Sequence, residues 1–183
     1  LTEENGTAVL KQKAGSPVVE KQTKGADGKY YYASSDLTFT NDYQAKGTIK
    51  MNARKTVDKG QLGTYEFGIY TGFEDGAVTG APIATVTNDG SGNITYETEI
   101  TMADLLAHEN GQFVYYVKET TSDGDGLTTD KSIYRMTYTA TDQKNGTINV
   151  TGPEIAKWNS GNFEAATEAV FENQYTARGS FKV

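Results

Sequence analysis

Three polar residues that lie far apart in the chain occupy segments whose alternation would turn them inward. Lys55 lies in TIKMNARK, Glu119 in FVYYVKE and Asn173 in FENQY. Apolar and polar residues alternate in each segment, which is typical of a half-buried strand. The apolar residues expected on the same faces are Ile49, Met51 and Ala53, then Phe113, Tyr115 and Val117, then Phe171 and Tyr175. An amine, a carboxyl and a carboxamide are therefore predicted to point into one core.

Together these side chains could form a covalent bond. Burying a charged Lys or Glu costs several kcal/mol, so an apolar core favours the neutral forms of both. A neutral lysine amine is a nucleophile. A protonated Glu119 could donate to the Asn173 carbonyl, polarise it, and later pass its proton to the leaving ammonia. The product would be an amide between Lys55 and Asn173, formed once in a site that excludes water.

Such a bond would span a long stretch of chain, 173 − 55 = 118 residues. A disulfide that closes a loop of ~100 residues is worth ~4.7 kcal/mol by the chain-entropy estimate, and an amide should constrain the unfolded chain similarly. Because the bond would tie the first strand of a domain to its last, tension applied at the two ends would pass through it.

Less reactive roles for the same residues stay open. Lys55 could extend from a strand end into solvent, Glu119 could be an ordinary strand-end carboxylate, and Asn173 could be a sheet-edge amide. Lys50 and Lys59 are rival nucleophiles, although alternation places Lys50 on the outward face and Lys59 in a turn.

Composition excludes several classes of function. The 183 residues carry a formal charge of −7, with a pI near 4.8, and this acidic balance argues against a nucleic-acid partner. No apolar run approaches the roughly 20 residues of a membrane helix. No signal peptide or sorting signal is apparent, so we expect a mature chain or an excised fragment. Cysteine is absent, which fits either a cytosolic protein or a secreted one with another covalent staple.

The sequence contains an internal repeat. Residues 39–51, FTNDYQAKGTIKM, match residues 171–183, FENQYTARGSFKV, at an offset of 173 − 41 = 132 residues. We interpret residues 1–43 as the C-terminal part of a preceding repeat, 44–47 as a linker, 48–176 as a complete domain and 177–183 as the start of the next repeat. The chain thus reads as part of a tandem array.

Within the complete domain, strand follows strand. Strands are predicted at 48–57, 65–70, 82–87, 92–100, 112–120, 133–142, 147–151 and 168–176. Residues Asn88-Asp89-Gly90 resemble a hairpin turn, and Thr101 to Asp104 form a capping box that opens a short helix. Tyr and Thr are frequent and favour strands. The predicted fold is an all-β antiparallel sandwich with one short helix.

The segments GTIKMNARKTV, YEFGIY, FVYYVKE, SIYRMTY and FENQY resemble the isopeptide-linkage domain of Gram-positive pilins and surface adhesins. The resemblance covers residues 47–176 and the end of a second copy in 1–43. It implies a collagen-adhesin B-type, immunoglobulin-like fold. It also implies that Lys55 and Asn173 are the bond-forming residues and Glu119 the catalytic acid. Asn41 matches Asn173, but its lysine partner would precede residue 1.

Other chemistry is poorly supported by the residues. The loop Ser122–Asp130 is rich in Asp and Gly but lacks the spacing of a calcium loop, so a solvated turn is preferred. His108 is the sole histidine, and no metal site or cofactor is predicted. Glu97 and Glu99 read as solvated strand charges. Trp158 is expected to lie in a loop, where it could pin that loop or mark a ligand surface.

Two functions follow from these expectations. The first is a structural repeat in the stalk of an extracellular, cell-wall-anchored adhesin or pilus, whose partners are the neighbouring repeats. The second is an adhesin module that binds a host protein or glycan through its loops. A turnover enzyme is not expected, because no pair of nucleophile and base or metal constellation appears.

Overall fold

The structure is a computed structural model that describes residues 43–176 throughout. Before these it describes residues 2–4, 7–9, 19–24, 26, 28 and 30–34. The chain divides into two compact units, residues 1–42 and 43–183. Asn41 and the expected start of a further repeat, 177–183, lie outside the described residues.

In the first unit the described strands form two antiparallel pairs. Strand β1 (Thr2–Glu4) pairs with β2 (Thr7–Val9), and β3 (Val19–Lys24) pairs with β4 (Tyr30–Ser34).

The second unit is built from twelve strands and one short α-helix over residues 43–176. The strands are β5 (Lys46–Val57), β6 (Glu66–Tyr70), β7 (Gly72–Glu74), β8 (Ala77–Thr79), β9 (Ala84–Thr87), β10 (Asn93–Thr101), β11 (Gln112–Glu119), β12 (Leu127–Thr128), β13 (Ile133–Asp142), β14 (Ile148–Asn159), β15 (Asn162–Ala166) and β16 (Val170–Tyr175). Helix α1 spans Met102–Ala107 and is followed by a 3-10 turn at Glu109–Gly111.

Two main sheets form the sandwich. One has four strands in the order β10-β5-β16-β12, and the other has six in the order β15-β14-β13-β11-β6-β9. Strands β7 and β8 form a separate hairpin. Neighbouring strands are antiparallel, except that β16 runs parallel to β5. The predicted all-β sandwich is confirmed, with a parallel pair at the centre of the smaller sheet.

The core lies between the two sheets. The Phe171 ring of β16 packs against Phe67 of β6 and Tyr134 of β13, with ring centroids 5.1 and 5.0 Å apart. The hydroxyl of Tyr134 donates to the Val170 carbonyl and that of Tyr138 to the Lys50 carbonyl, so both tyrosines also bond across the sandwich. In β13, which was predicted at 133–142, alternate residues are buried in this core: Tyr134, Met136, Tyr138 and Ala140. Burial of large apolar side chains such as these, at ~1.5–3 kcal/mol each, supplies the main force for closing the sandwich.

The capping box is confirmed. The Thr101 hydroxyl accepts from the Asp104 N–H while the Asp104 carboxylate accepts from the Thr101 N–H, and His108 is the C-cap of helix α1. None of the helices among the described residues is long and apolar enough to cross a membrane.

Two local predictions were wrong. Residues 88–90 do not close a hairpin, because β9 and β10 belong to different sheets and the turn carries the chain between them. Trp158 does not lie in a loop but in β14, which continues past the predicted end at 151 and pairs with the unpredicted strand β15. The Gly152-Pro153 sequence favours an end of the strand at this point, because Pro is normally confined to the edges or bulges of sheets. The ladder between β13 and β14 does shift register there, between Thr137 and Thr139.

The Trp158 ring belongs to a second aromatic cluster, on the side of the larger sheet that faces away from the core. Phe73 of the β7–β8 hairpin lies at its centre, with ring centroids 5.1 Å from Tyr116 and 4.9 Å from both Trp158 and Phe163. The Arg135 guanidinium lies 4.6 Å from the Phe163 ring centroid. These contacts hold the hairpin against the sheet.

Candidate functional site

The central strands of the smaller sheet carry two of the three predicted site residues. In the parallel ladder, Phe171 of β16 lies opposite Lys55 of β5, and Asn173 lies opposite Val57. Lys55 and Asn173 are therefore diagonal neighbours on the face that meets the core. Glu119 reaches them from the last residue of β11, in the facing sheet.

The three side chains meet in the interior. Lys55 is 1 % exposed, Glu119 3 % and Asn173 0 %. The Glu119 carboxylate bridges the other two, because Oε2 accepts from Lys55 Nζ at 2.8 Å and Oε1 accepts from Asn173 Nδ2 at 2.7 Å. The predicted amine, carboxyl and carboxamide are thus brought together in one buried hydrogen-bonded group.

The orientation of the Asn173 carboxamide differs from the sequence-based expectation. Its oxygen, Oδ1, accepts from the backbone N–H of Asp130 at 2.7 Å, and its nitrogen faces Glu119. A backbone N–H can only donate, so it must face the carbonyl oxygen of the amide. The prediction that Glu119 donates to the Asn173 carbonyl is therefore wrong: Glu119 lies beside the nitrogen, and Asp130 lies beside the oxygen.

Burial shifts the pKa of the Lys55 amine. Desolvation lowers the pKa of Lys55 below its ordinary value, while the hydrogen bond and charge of Glu119, and the charges of Asp130 and Glu172, oppose the lowering. The Nζ atom also lies 4.8 Å from the centroid of the Tyr65 ring. Lowering the pKa favours the neutral, nucleophilic form of the amine.

The loop between β11 and β13 closes the site from the side of Asn173. Asp123 accepts from the backbone N–H and the hydroxyl of Thr129 and from the Lys131 ammonium. These bonds lower the pKa of Asp123. Thr129, only 3 % exposed, is thereby fixed next to Asp130. Among the described residues, no group of three or more His, Cys, Asp or Glu side chains could hold a metal ion.

Sequence reasoning missed Asp130 and Tyr65 as parts of this site. Asp130 contributes through its backbone N–H, a group that nearly every residue type has and that a sequence motif therefore cannot identify. In the sequence it was only one of the acidic residues of a Gly-rich loop. Tyr65 precedes β6, and the sequence placed it only at the start of the strand predicted at 65–70. Its position facing Lys55 follows from the packing of the two sheets.

The rival groups lie outside the site. Lys50 and Lys46 are exposed on β5 and pair across the ladder with Glu97 and Glu99 at 2.9 and 2.8 Å. Exposed pairs of this kind contribute little to stability. Lys59 is also exposed and lies 3.8 Å from Asp58.

Comparison with known proteins gives a family match. The family described as FctA, Spy0128-like isopeptide containing domain, matches residues 51–176. No curated protein matches the chain. Among solved structures, the major pilin from Streptococcus pyogenes is 18% identical with a TM-score of 0.35, covering 74% of this chain and 51% of the pilin. The T-13 major pilin from the same species is 15% identical with a TM-score of 0.40, covering 74% and 54%. The chain spans about half the length of these pilins.

Proposed function

Because this chain belongs to the family of Spy0128-like isopeptide containing domains, we propose that it forms an internal amide bond between Lys55 and Asn173 under the control of Glu119. The single observation that carries the proposal is the Glu119 carboxylate, whose two oxygens contact the amine and the carboxamide at 2.8 and 2.7 Å. A carboxyl group in this position can exchange protons with both nitrogens involved in the reaction.

The proposed reaction is an exchange of amines on one carbonyl carbon. Transfer of a proton from Lys55 to Glu119 leaves a neutral amine, whose lone pair attacks Cγ of Asn173. A C–N bond forms and the carbonyl electrons move to Oδ1. Glu119 then protonates Nδ2, the electron pair on Oδ1 re-forms the carbonyl, the bond from Cγ to Nδ2 breaks, and ammonia leaves. Glu119 accepts one of the two protons on the attacking nitrogen and the other stays as the amide N–H, so one amine and one primary amide become one secondary amide and ammonia.

The site disfavours other uses of the same residues. A buried ion pair offers little net stability over an apolar replacement of similar volume, so the fold has no evident need for these charges in its core. Exclusion of water would protect the reaction intermediate from hydrolysis. The family is one of structural domains and not of enzymes, which agrees with a reaction that occurs once per molecule.

For the biological role of the chain, we propose that it is a structural part of a pilus or stalk at the cell surface. The family match supports this role, and the internal repeat supports neighbouring repeats as partners. The alternative, a ligand-binding adhesin module, would need a free binding surface. Trp158 packs with Phe73 and Phe163 and so has a structural use.

Intact mass tests the bond directly. The wild-type chain should be lighter than its sequence by the mass of one ammonia molecule, and Glu119→Ala should restore the full mass, because proton transfer to and from the two nitrogens is lost. Peptide mapping should place the link between Lys55 and Asn173. Lys50→Ala is the matched control and should keep the deficit. A wild-type chain of full mass would refute the proposal.

A further inference from the structure

Asp130 contacts the carboxamide site and the strand that carries it at the same time. Its backbone N–H donates to Asn173 Oδ1 at 2.7 Å. Its carboxylate accepts from the backbone N–H of Glu172 at 2.8 Å through Oδ2, and from that of Ser132 at 2.8 Å through Oδ1. One residue thus ties the loop before β13 to β16, at the residue adjacent to Asn173.

The N–H of Asp130 is directed at the atom on which charge would develop. In the proposed reaction, attack on Cγ of Asn173 moves an electron pair onto Oδ1. Preorganised N–H donors at such an oxygen stabilise the tetrahedral intermediate, and removing one donor from an enzyme site typically costs about 10²–10³-fold in rate. The hydrogen bond also polarises the carbonyl before attack.

The surrounding loop restrains Asp130 on both sides. Asp123 binds Thr129 through its backbone N–H and its hydroxyl, and it binds the Lys131 ammonium. The two neighbours of Asp130 are therefore held by one carboxylate, while Asp130 itself is held to β16 by its own carboxylate. This arrangement leaves the peptide N–H little freedom to turn away from Oδ1.

We propose that Asp130 is a positioning residue for formation of the Lys55–Asn173 bond: its carboxylate clamps the loop to β16, and the clamp holds its own N–H as the oxyanion donor. This inference rests on the proposed function. Glu119 then acts on the nitrogen atoms and Asp130 N–H on the oxygen, so the two halves of the reacting amide have separate partners.

The charge of the Asp130 carboxylate and its clamping of the loop should have opposite effects on the rate of crosslinking, so one substitution can distinguish them. The negative charge of Asp130 raises the pKa of Lys55. Removing that charge by Asp130→Asn would favour the neutral amine and accelerate the reaction. An asparagine oxygen can still accept one N–H, but its NH2 group cannot accept the other, so the clamp is broken and the reaction should slow.

The test measures the rate of crosslinking apart from folding. The full chain is synthesised in a cell-free reaction and quenched in denaturant at intervals. The crosslinked fraction is read from intact mass, and the folded fraction from resistance to a brief protease pulse. Asp130→Asn should lengthen the half-time of crosslinking after folding at least tenfold. A half-time equal to or shorter than that of wild type would overturn the inference.

Asp58→Asn is the matched control, because Asp58 also accepts a backbone N–H of β16, from Tyr175 at 2.8 Å. A merely structural role for Asp130 predicts that both variants behave alike, and we expect less than a threefold change for Asp58→Asn. Equal slowing of the two variants would refute a special role for Asp130. A wild-type chain that never loses ammonia would refute the bond itself, so the two failures are distinguishable.

A second measurement needs no variant of Asp130, and it decides the question if Asp130→Asn does not fold. In the Glu119→Ala chain, which should stay unlinked, NMR should detect a scalar coupling across the hydrogen bond between the Asp130 amide nitrogen and Cγ of Asn173. Absence of this coupling in the folded, unlinked chain would overturn the inference.

Discussion

A lysine and a glutamate that are almost completely buried define this domain at the residue scale. The Lys55–Glu119 pair lies at 2.8 Å with both side chains fully inaccessible, and Asn173 occupies the remaining carboxylate oxygen. Removing one partner of a buried ion pair typically costs about 3–5 kcal/mol, because an uncompensated charge remains. In the proposed reaction the lysine nitrogen becomes an uncharged amide nitrogen and Glu119 ends with a proton, so no uncompensated charge would remain in the core.

The unlinked state should reveal the buried amine through its pH dependence. In Glu119→Ala the proposed bond should not form, and the carboxylate that opposes the lowering of the Lys55 pKa is gone. The unfolded chain keeps its lysine proton up to a pKa of about 10.4, so between the lowered folded value and this limit the unfolded state binds more protons. The unfolding free energy of Glu119→Ala should therefore rise with pH, by at most about 1.4 kcal/mol per unit.

Urea unfolding at about pH 6, pH 7.5 and pH 9 measures this slope. The control is the double variant Lys55→Met with Glu119→Ala, which lacks the titrating amine but keeps every other ionisable group. Its stability should rise less over the same interval. Parallel slopes for the two chains would show that Lys55 is charged and solvated in the unlinked fold.

At the scale of elements, the site depends on how two strands and one turn are placed. Strand β16 inserts parallel to β5 and forms the diagonal from Lys55 to Asn173. The segment after residue 62 places Tyr65 by the Lys55 amine, and it is held by Asn88 in the turn between the sheets. Asn88 Oδ1 accepts from the Tyr65 N–H at 2.8 Å, and its Nδ2 donates to the carbonyls of Gly63 and Asp89 at 2.9 Å.

Asn88→Ala should destabilise the domain by about 1–3 kcal/mol, because it leaves the N–H of Tyr65 without its acceptor near the core. Asn93 provides a matched comparison in the same turn. Its side chain donates to Asp89 at an exposed position, and Asn93→Ala should change stability by about 0.5 kcal/mol or less.

Both substitutions are best measured by chemical unfolding in the Glu119→Ala background, where the proposed crosslink should be absent. If the two variants lose equal stability, Asn88 is not the anchor of the Tyr65 segment.

At the scale of the whole molecule, β5 and β16 are the strands by which the chain enters and leaves the domain. Residues 43–47, at the entry into β5, pack against the turn between β13 and β14 and the start of β14. The Tyr43 hydroxyl donates to Asp142 at 2.7 Å and accepts from the Gly146 N–H at 3.2 Å. Ala45 is buried, and at Gly47 an added Cβ would lie 2.5 Å from the Ile148 carbonyl oxygen. A tie between Lys55 and Asn173 would thus join the two ends of the domain through covalent bonds alone.

Force measurements should show whether tension passes through the proposed bond and not through the enclosed residues. When the wild-type chain is pulled from its ends, residues 56–172 should not extend, because the tension passes from Lys55 to Asn173. Lys55→Ala should release the 117 enclosed residues, a gain of about 400 Å in contour length at ~3.4 Å per residue. The control Lys50→Ala should behave as wild type, and an equal extension in all three chains would contradict a bond that carries the tension between Lys55 and Asn173.

Patterns between residues close in the sequence explain which parts of the fold and the site could be predicted. In a strand, successive side chains point to opposite faces, so alternation alone placed Lys55 inward and Lys50 outward, and the same rule oriented Glu119 and Asn173. The short helix was predictable for a similar reason, because the Thr101–Asp104 capping box involves groups only three residues apart. Alternation did not reveal the second half of β14, because Gly152-Pro153 interrupts the pattern. Strand β15, which pairs with that half, was missed with it.

The tertiary structure decided which groups meet the reactive atoms. Strand pairing over long sequence distances brings β16 beside β5 and carries the chain between sheets at residue 88, and no local pattern encodes either partner. The orientation of the Asn173 amide was likewise decided by a backbone N–H of a distant loop, and every residue type except proline supplies such a group. The sequence by itself determined that an amine, a carboxyl and a carboxamide face one core. Only the fold decided that Glu119 lies at the nitrogen of that carboxamide and Asp130 at its oxygen, because those positions depend on packing between two sheets.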